Sequence, residues 1–505
     1  MRKFFQTVAL VSVFSISEKI LGFLYRIYLS HSIGAEGIGL YSIALSVFGL
    51  LYTLCSSGIP VTVSRLMMKY KAENKPRKVS HIISSGIFLT LLTTIPVCAI
   101  FYIFGNKFTF LFADSRAVKI FLVMLPGLVF TSVYSVLRGV FWGNKDFLPY
   151  SIIELLEEIC MIVVGIILIS FSTTVYQGAY RAGVSVLISY LLSFTLAVIV
   201  FFFRKNKLAN PIPELKPLFK SATPITAMRT ASSFAMSLVS IILPFRLMAS
   251  GITQSDSMRL FGATMGQAFP IISIPTTLIG SFTLVLIPEI SENFYSKRHF
   301  YLKRDVEKAI KFTTALTLIF IPVFFVCGEE IGMVVFGEYQ CGVYVTASSF
   351  LMLFMSLSSV STSMLNSMGK ETKTLFYFVL GGVLMLLSIW FLPPVIGIYS
   401  LIVGFGFAYG LTAFFNLKLL NKNCPEKPKY KTFLVRAILT TLPSILFGLM
   451  LEKLLLPVTG TALTLILCAL LIVVFNCLMF FGFGILTFKS AKANLKKIFC
   501  KKKTA

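Results

Sequence analysis

Apolar residues run together along this chain instead of alternating with polar ones. Fourteen stretches, roughly 6–30, 38–58, 81–104, 119–142, 150–172, 178–203, 222–248, 265–288, 308–327, 342–367, 372–392, 396–417, 432–451 and 461–487, carry this pattern. Each is near or above the ~20 residues of helix that cross the hydrocarbon core of a bilayer. The segments between them are short and polar, and none can bury a core of its own. The pattern predicts an all-α polytopic membrane protein of about 14 transmembrane helices, with no globular catalytic domain on either side.

Composition agrees: 56% of the 505 residues are hydrophobic and only 13% are charged, which excludes an ordinary soluble domain. The net charge of +26 would suit nucleic acid, but its placement argues otherwise. The dense basic runs are Arg65 to Lys78, Arg204 to Lys220, Lys297 to Lys311, Lys418 to Lys431 and Lys489 to Lys503. They fall in alternate loops, as the positive-inside rule requires of a protein in the cytoplasmic membrane with both termini cytoplasmic. Anionic inner-leaflet lipid is a sufficient partner for them, and no nucleic-acid partner is expected. The first span carries Glu18, Lys19 and Arg26 and has no small-residue cleavage site after it, so it reads as a retained helix and not a signal peptide.

The chain also repeats itself. Ile59-Pro60 matches Ile287-Pro288, Gly143 matches Gly369, Gly178 and Tyr190 match Gly397 and Tyr409, and Arg26 matches Arg246, in order and at offsets of 219–228 residues. An even number of spans per copy keeps both copies in one orientation, a parallel repeat about an axis along the membrane normal. The expected layout is an N-terminal lobe over 1–203 (helices one to six), a cytoplasmic linker 204–221, and a C-terminal lobe over 222–420 (helices seven to twelve). A cytoplasmic loop 421–431, helices thirteen and fourteen over 432–487, and a basic cytoplasmic tail 488–505 complete it. Two-lobe carriers place the substrate between halves that rock in alternating access.

Ionised residues inside spans are the candidate chemistry. A cation at mid-helix costs roughly 2.5–3.5 kcal/mol on insertion scales and so faces water or a partner. Lys19 and Arg26 are seven residues apart and share a helix face, with Gly22 between them; Arg229 and Arg246 occupy the seventh span. Four cations converging on one cavity would suit a phosphate or pyrophosphate, because arginine offers a bidentate fork and lysine a point charge. The plainer alternative has Arg26 and Arg246 snorkelling to the headgroups. Glu154, Glu157 and Glu158 in the fifth span are candidates for a coupling proton or sodium ion; equally, they are first-turn carboxylates partnered by Arg138 or Lys145. Gly22, Pro270 and Pro275 are candidate kink or gating positions.

Nothing points to an enzyme. His31, His81 and His299 lie near membrane edges, and there is no nucleophile elbow, phosphate-cradling loop or metal-ligand spacing, so no cofactor or metal is expected. The nine cysteines include no CxxC and read as buried thiols; Cys327 and Cys341 are close enough to one surface to be a candidate disulfide.

Several strings carry a family resemblance. Lys19 to Arg26, GAEGIGLY at 34–41, SGIPVTVSRL at 57–66, and the run from Phe269 through Pro275 to LIPEISE at 286–292 resemble the stage V sporulation protein B branch of the polysaccharide flippases. That branch sits with the MurJ-type lipid II flippases and the multidrug and toxin extrusion (MATE) exporters in the multidrug/oligosaccharidyl-lipid/polysaccharide (MOP) exporter superfamily. The resemblance implies a V-shaped pair of six-helix lobes with two C-terminal helices, and export of a polyprenyl-pyrophosphate sugar or peptidoglycan precursor. It also implies a cationic cavity with the lipid tail against helices thirteen and fourteen, driven by a coupling ion (H+ or Na+) or the membrane potential. Lys19 matches the first cation of the family's first-helix motif. Lipid II flippases place an arginine where Tyr25 stands here, and their span-eight arginine is replaced near Pro270, so the chain departs from them at two positions. The competing reading is a multidrug/cation antiporter on the same scaffold, which calls for an acidic cavity and twelve spans.

Overall fold

A helix of 55 residues is about 80 Å long at 1.5 Å per residue, more than twice the thickness of a bilayer core. The computed structural model of the protein has such a helix, α1 (Arg2–Ser56), and it is broken at Gly34, whose φ of 65° and ψ of 178° are open essentially to glycine alone. The break falls in GAEGIGLY, between the first two expected spans. Gly22, the expected kink, is helical, and the only non-helical residue inside α1 is Gly34; that expectation is corrected. The structure describes residues 2–483, excepting the side chains at 2–12, 72, 106, 224, 228, 232, 281–282, 284–288 and 458–459. The Pro288 side chain and the basic tail lie outside the described residues.

The remaining elements are α2 (Ile59–Ala72), α3 (Pro76–Phe104), α4 (Ser115–Met124), α5 (Pro126–Gly143), α6 (Phe147–Ser170), α7 (Val175–Phe203), α8 (Ile212–Ala249), α9 (Gln254–Phe261) and α10 (Phe269–Ile272). They continue with α11 (Ile274–Tyr295), α12 (His299–Val326), α13 (Gly328–Ile331), α14 (Tyr339–Ser348), α15 (Leu351–Ser367), α16 (Glu371–Phe391), α17 (Pro393–Ile396), α18 (Ser400–Asn423) and α19 (Lys431–Gly482). No strand occurs among the described residues. The protein is an all-α polytopic membrane protein, and large apolar side chains such as Ile103, Phe203, Val395 and Met450 stand exposed on it, as a lipid-facing surface requires.

As far as the described residues reach, to 483, the fourteen expected stretches fall mainly on helix, but the count of spans differs. Nine helices among the described residues are long and apolar enough to cross a membrane, or eleven if each bent pair is one span. The fourth expected span is the pair α4 and α5, bent by 45°, and the tenth is α14 and α15, bent by 60°. Residues 13–71 count as a single apolar run although Gly34 divides it. The fifth stretch, α6, carries three carboxylates within one helix. In the eighth, residues 254–272 are one helical run whose middle, Gly262–Ala268, is a π-helix; Pro270 lies in its last turn and Pro275 in the first turn of α11, with Ser273 between them. Proline is tolerated in the first turn of α11 because no interior hydrogen bond is lost there; Pro270, inside its run, has no backbone N–H to give.

Contacts divide the chain into two compact units between Gly266 and Gln267. In the first, α2 packs Val63 and Met67 into a buried cluster with Ile82 of α3, Leu137 and Phe141 of α5, and Phe201 of α7. A seam of small polar residues joins α1 to α8: Ser46 Oγ donates to Ser240 Oγ at 3.0 Å, and Ser237 Oγ donates to the Ser46 carbonyl at 3.0 Å. Such residues let membrane helices approach closely. The closest approach is between α1 and the end of α9, where a Cβ on Gly39 would meet the Met258 carbonyl and one on Gly262 the Ala35 carbonyl.

In the second unit Gly381 of α16 lies against the Ala408 backbone of α18, and Asn416 Nδ2 of α18 donates to Thr362 Oγ1 of α15 at 2.8 Å. The long α19 packs on α12, where Asn476 Nδ2 donates to the Leu318 carbonyl at 3.0 Å. It too is broken by a glycine, Gly460, with φ 72° and ψ 168°. Cys327 and Cys341 are both free, buried thiols; Cys327 faces Cys468 of α19, so the candidate disulfide is not formed.

Gly262→Ala should lower the thermal unfolding midpoint of the detergent-solubilised protein, with a cost of about 1–3 kcal/mol from forcing two backbones apart. Gly49→Ala, at a position with nothing within 4 Å of the added carbon, should leave the midpoint unchanged or raise it. Equal effects would contradict the packing described.

Candidate functional site

The site is built on α1, upstream of its break. Gly22 and Arg26 are one turn apart on the same face, and both line a cavity of about 220 Å³ with Tyr25, Tyr41, Ser42, Glu158, Tyr190 and Gly266. Arg26 is exposed to that cavity although it lies deep in an apolar sequence. Its Nη1 donates to the Gly266 carbonyl at 2.9 Å, a contact that aims the guanidinium and uses one of its five donors. The Tyr25 ring is buried beside it, with its hydroxyl 3.5 Å from Ser185 Oγ of α7 and against Gly165 of α6, which has no side chain to fill that space.

Gly22 has a role different from the one expected. A Cβ placed on it would lie 2.9 Å from Glu158 Oε1. Its missing side chain is what admits the carboxylate of α6 to the cavity that Arg26 lines. The site therefore holds an acid and a base of opposite charge at the α1–α6 contact.

The three carboxylates of α6 separate. Glu154 pairs with Arg138 of α5 at 2.6 Å, and the same guanidinium lies 5.1 Å from the Trp142 ring centroid, so the partnered alternative holds for this residue. Glu157 bonds Ser193 of α7, while its Oε2 is buried without a hydrogen-bond partner among the described residues. Only Glu158 reaches the Arg26 cavity. Residues at i, i+3 and i+4 of one helix share a broad face, yet three neighbouring helices divide it among them.

The four expected cations are not one cluster. Lys19 is exposed two turns from Arg26 on the same face of α1, about 10 Å away along the axis. Arg229 donates from Nη1 to the Ser57 carbonyl at 3.0 Å, bridging α8 to the end of α1. Arg246 lies in the last turn of α8, where the helix dipole favours a cation. Seventeen residues of continuous helix put Arg229 and Arg246 about 25 Å apart. One pyrophosphate cannot touch both, and that part of the expectation is corrected.

Sequence reasoning missed two features. Tyr41 and Tyr190 line the cavity; the signals were present in GAEGIGLY and in the repeat. Glu36 of GAEGIGLY pairs with Arg116 Nη2 at 2.7 Å, and that nitrogen also meets Asp114 Oδ2 at 2.7 Å. Asp114 in turn caps α4 through the Arg116 amide at 2.8 Å. This ion network ties the segment just after the Gly34 break to the start of α4.

Comparison with known proteins follows the same lines. Residues 4–294 match the family model described as polysaccharide biosynthesis protein. Stage V sporulation protein B of Bacillus subtilis is 25% identical over 390 residues, 72% of this chain and 74% of that protein. A solved structure of the lipid II flippase MurJ in an inward closed conformation superposes with a TM-score of 0.71 at 17% identity, covering 95% of this chain and all of that one. A multidrug resistance MATE family transporter of the MOP superfamily superposes with a TM-score of 0.68 at 13% identity, covering 81% of this chain and 94% of that one. The fold is that of these transporters.

Because Arg138 and Glu154 share a half-buried ion pair, Arg138→Ala should destabilise the protein by about 1–3 kcal/mol by stranding a carboxylate. Adding Glu154→Gln to Arg138→Ala should recover part of that loss in thermal unfolding. Strictly additive losses would show the pair to be uncoupled.

Proposed function

This chain belongs to the polysaccharide biosynthesis protein family, and on that footing we propose that it is a flippase. It would translocate a polyprenyl-linked oligosaccharide or peptidoglycan precursor across the cytoplasmic membrane by alternating access. The observation that carries this reading is Arg26, a guanidinium inside an apolar helix that opens onto a cavity and is held by a single backbone carbonyl. Desolvating an arginine without such a setting is unfavourable, and its remaining donors suit the fork geometry of a pyrophosphate. The likeness to the lipid II flippase MurJ supports the transporter class, and the departures at Tyr25 and Pro270 leave the sugar open to another member of that class.

In this reading Arg26 and Lys19 take the pyrophosphate. Arg229 and Arg246, each at its own level of α8, meet the charged group at other points of the cycle. Glu158 is the counter-ion of the empty site, displaced when an anion binds, and Glu157, with its unpartnered buried oxygen, is the candidate for a coupling proton or sodium ion. The two lobes over 1–203 and 222–420 rock about the linker 204–221, both termini face the cytoplasm, and anionic inner-leaflet lipid holds the basic loops. Helices thirteen and fourteen lie beside the tail of the substrate. No chemical step is assigned to the chain. Glu158 and the likeness to a MATE transporter favour one second reading, a multidrug/cation antiporter; Arg26 in the same cavity opposes a cationic cargo.

Arg26→Ala should reduce delivery of lipid-linked sugar to the outer leaflet by roughly tenfold or more, the equivalent of one charge-assisted contact. Arg26→Lys should retain part of it, since lysine keeps the charge but not the fork. Unchanged delivery at normal protein levels, or loss of drug efflux in its place, would overturn the proposal.

A further inference from the structure

One face of α8 is left uncovered by the described residues. Lys216, Lys220, Thr223, Ala227, Ala231 and Phe234 follow one another at intervals of three or four residues, so they form a single stripe, and all six are exposed. Along this stripe lies a groove of about 510 Å³ lined by Leu54, Ile59, Leu89, Phe219, Ala227 and Phe234 among others. Its α8 side carries the small residues Thr223, Ala227 and Ala231. Two of the groove's four threonines bond backbone: Thr223 Oγ1 donates to the Phe219 carbonyl at 2.7 Å, and Thr93 Oγ1 to the Thr90 carbonyl at 2.9 Å, which leaves those hydroxyls satisfied within their own helices.

Length and charge decide what fits. From Lys220 to Phe234 is fourteen residues, about 21 Å of helix, somewhat more than the ~15 Å depth of one leaflet of hydrocarbon. The exposed Lys216 and Lys220 continue the stripe beyond the groove on one side, and Phe234 is the last residue of α8 to line it on the other. That is the shape of one extended acyl chain with an anionic headgroup above it. A polyprenyl tail is longer than a leaflet and would not end at Phe234.

We propose that the groove on α8 is a binding site for a single anionic phospholipid, with the phosphate at Lys216 and Lys220 and one acyl chain running past Thr223 and Ala227 to Phe234. The site is separate from the cavity of Arg26 and stands whether or not the transport reading holds. Bound there, the lipid fills the space between α8, α3 and the end of α1 that no side chain occupies.

The test uses the full-length protein in phosphatidylcholine vesicles containing a small fraction of phosphatidylglycerol with a photoreactive acyl chain. Cross-links should concentrate on residues 54–59, 89–93 and 219–234. Labelling there should exceed that of the same probe with a choline headgroup by roughly tenfold, as two lysines beside an anion imply. Lys216→Ala with Lys220→Ala should abolish that preference, and Ala227→Phe should clear labelling from the groove while labelling of the lipid-facing helix α16 persists, which shows that the variant is folded. Labelling spread evenly over lipid-facing helices, indifference to headgroup, or preferential labelling of the groove by a photoreactive polyprenyl phosphate would overturn the proposal.

Discussion

An arginine inside a bilayer must be hydrated or paired, and the first helix bundle is arranged around meeting that demand for Arg26. The guanidinium is aimed by the Gly266 carbonyl, and a carboxylate from α6 is admitted to its cavity only because residue 22 has no side chain. Tyrosines 25, 41 and 190 supply polar edges without further charge. Each of these features is dispensable for an apolar bundle. Together they allow a cation to sit in a span at moderate cost while leaving donors directed at open space.

Backbone devices hold the arrangement. Gly34 interrupts α1 just beyond Arg26, and the chain that follows is fixed by the Glu36–Arg116–Asp114 network and by backbone-to-backbone contact at Gly39 and Gly262. The serine seam with α8 continues the same close packing toward Ser57, where Arg229 finds its carbonyl. GAEGIGLY is thus a break, an ion pair and a close approach in eight residues, which accounts physically for Gly34 and Gly39.

Much of this was legible in the sequence. Runs of apolar residues long enough to cross a bilayer identify helices whatever their partners, so the fourteen stretches fell mainly on helix among the described residues. Arg26 stood out because an ion in such a run is costly. What the sequence could not give was assignment across helices. Glu154, Glu157 and Glu158 look alike as a string, and only the neighbours α5, α7 and α1 make one an ion-pair partner, one half-satisfied and one a cavity wall. Gly22 read as a kink because glycine loosens a helix, yet its role is steric and depends on a side chain 136 positions away. Two arginines on one span suggested a clamp until the unbroken α8 fixed their separation.

The central claim is that Arg26 holds an anionic headgroup within the membrane. Its most direct test is mass spectrometry of the lipid that co-purifies with the wild-type protein and with Arg26→Ala at matched yield. The account predicts a polyprenyl-pyrophosphate sugar with the wild type and its loss from the variant. The same lipid retained by both, or an organic cation bound to the wild type in its place, would contradict it.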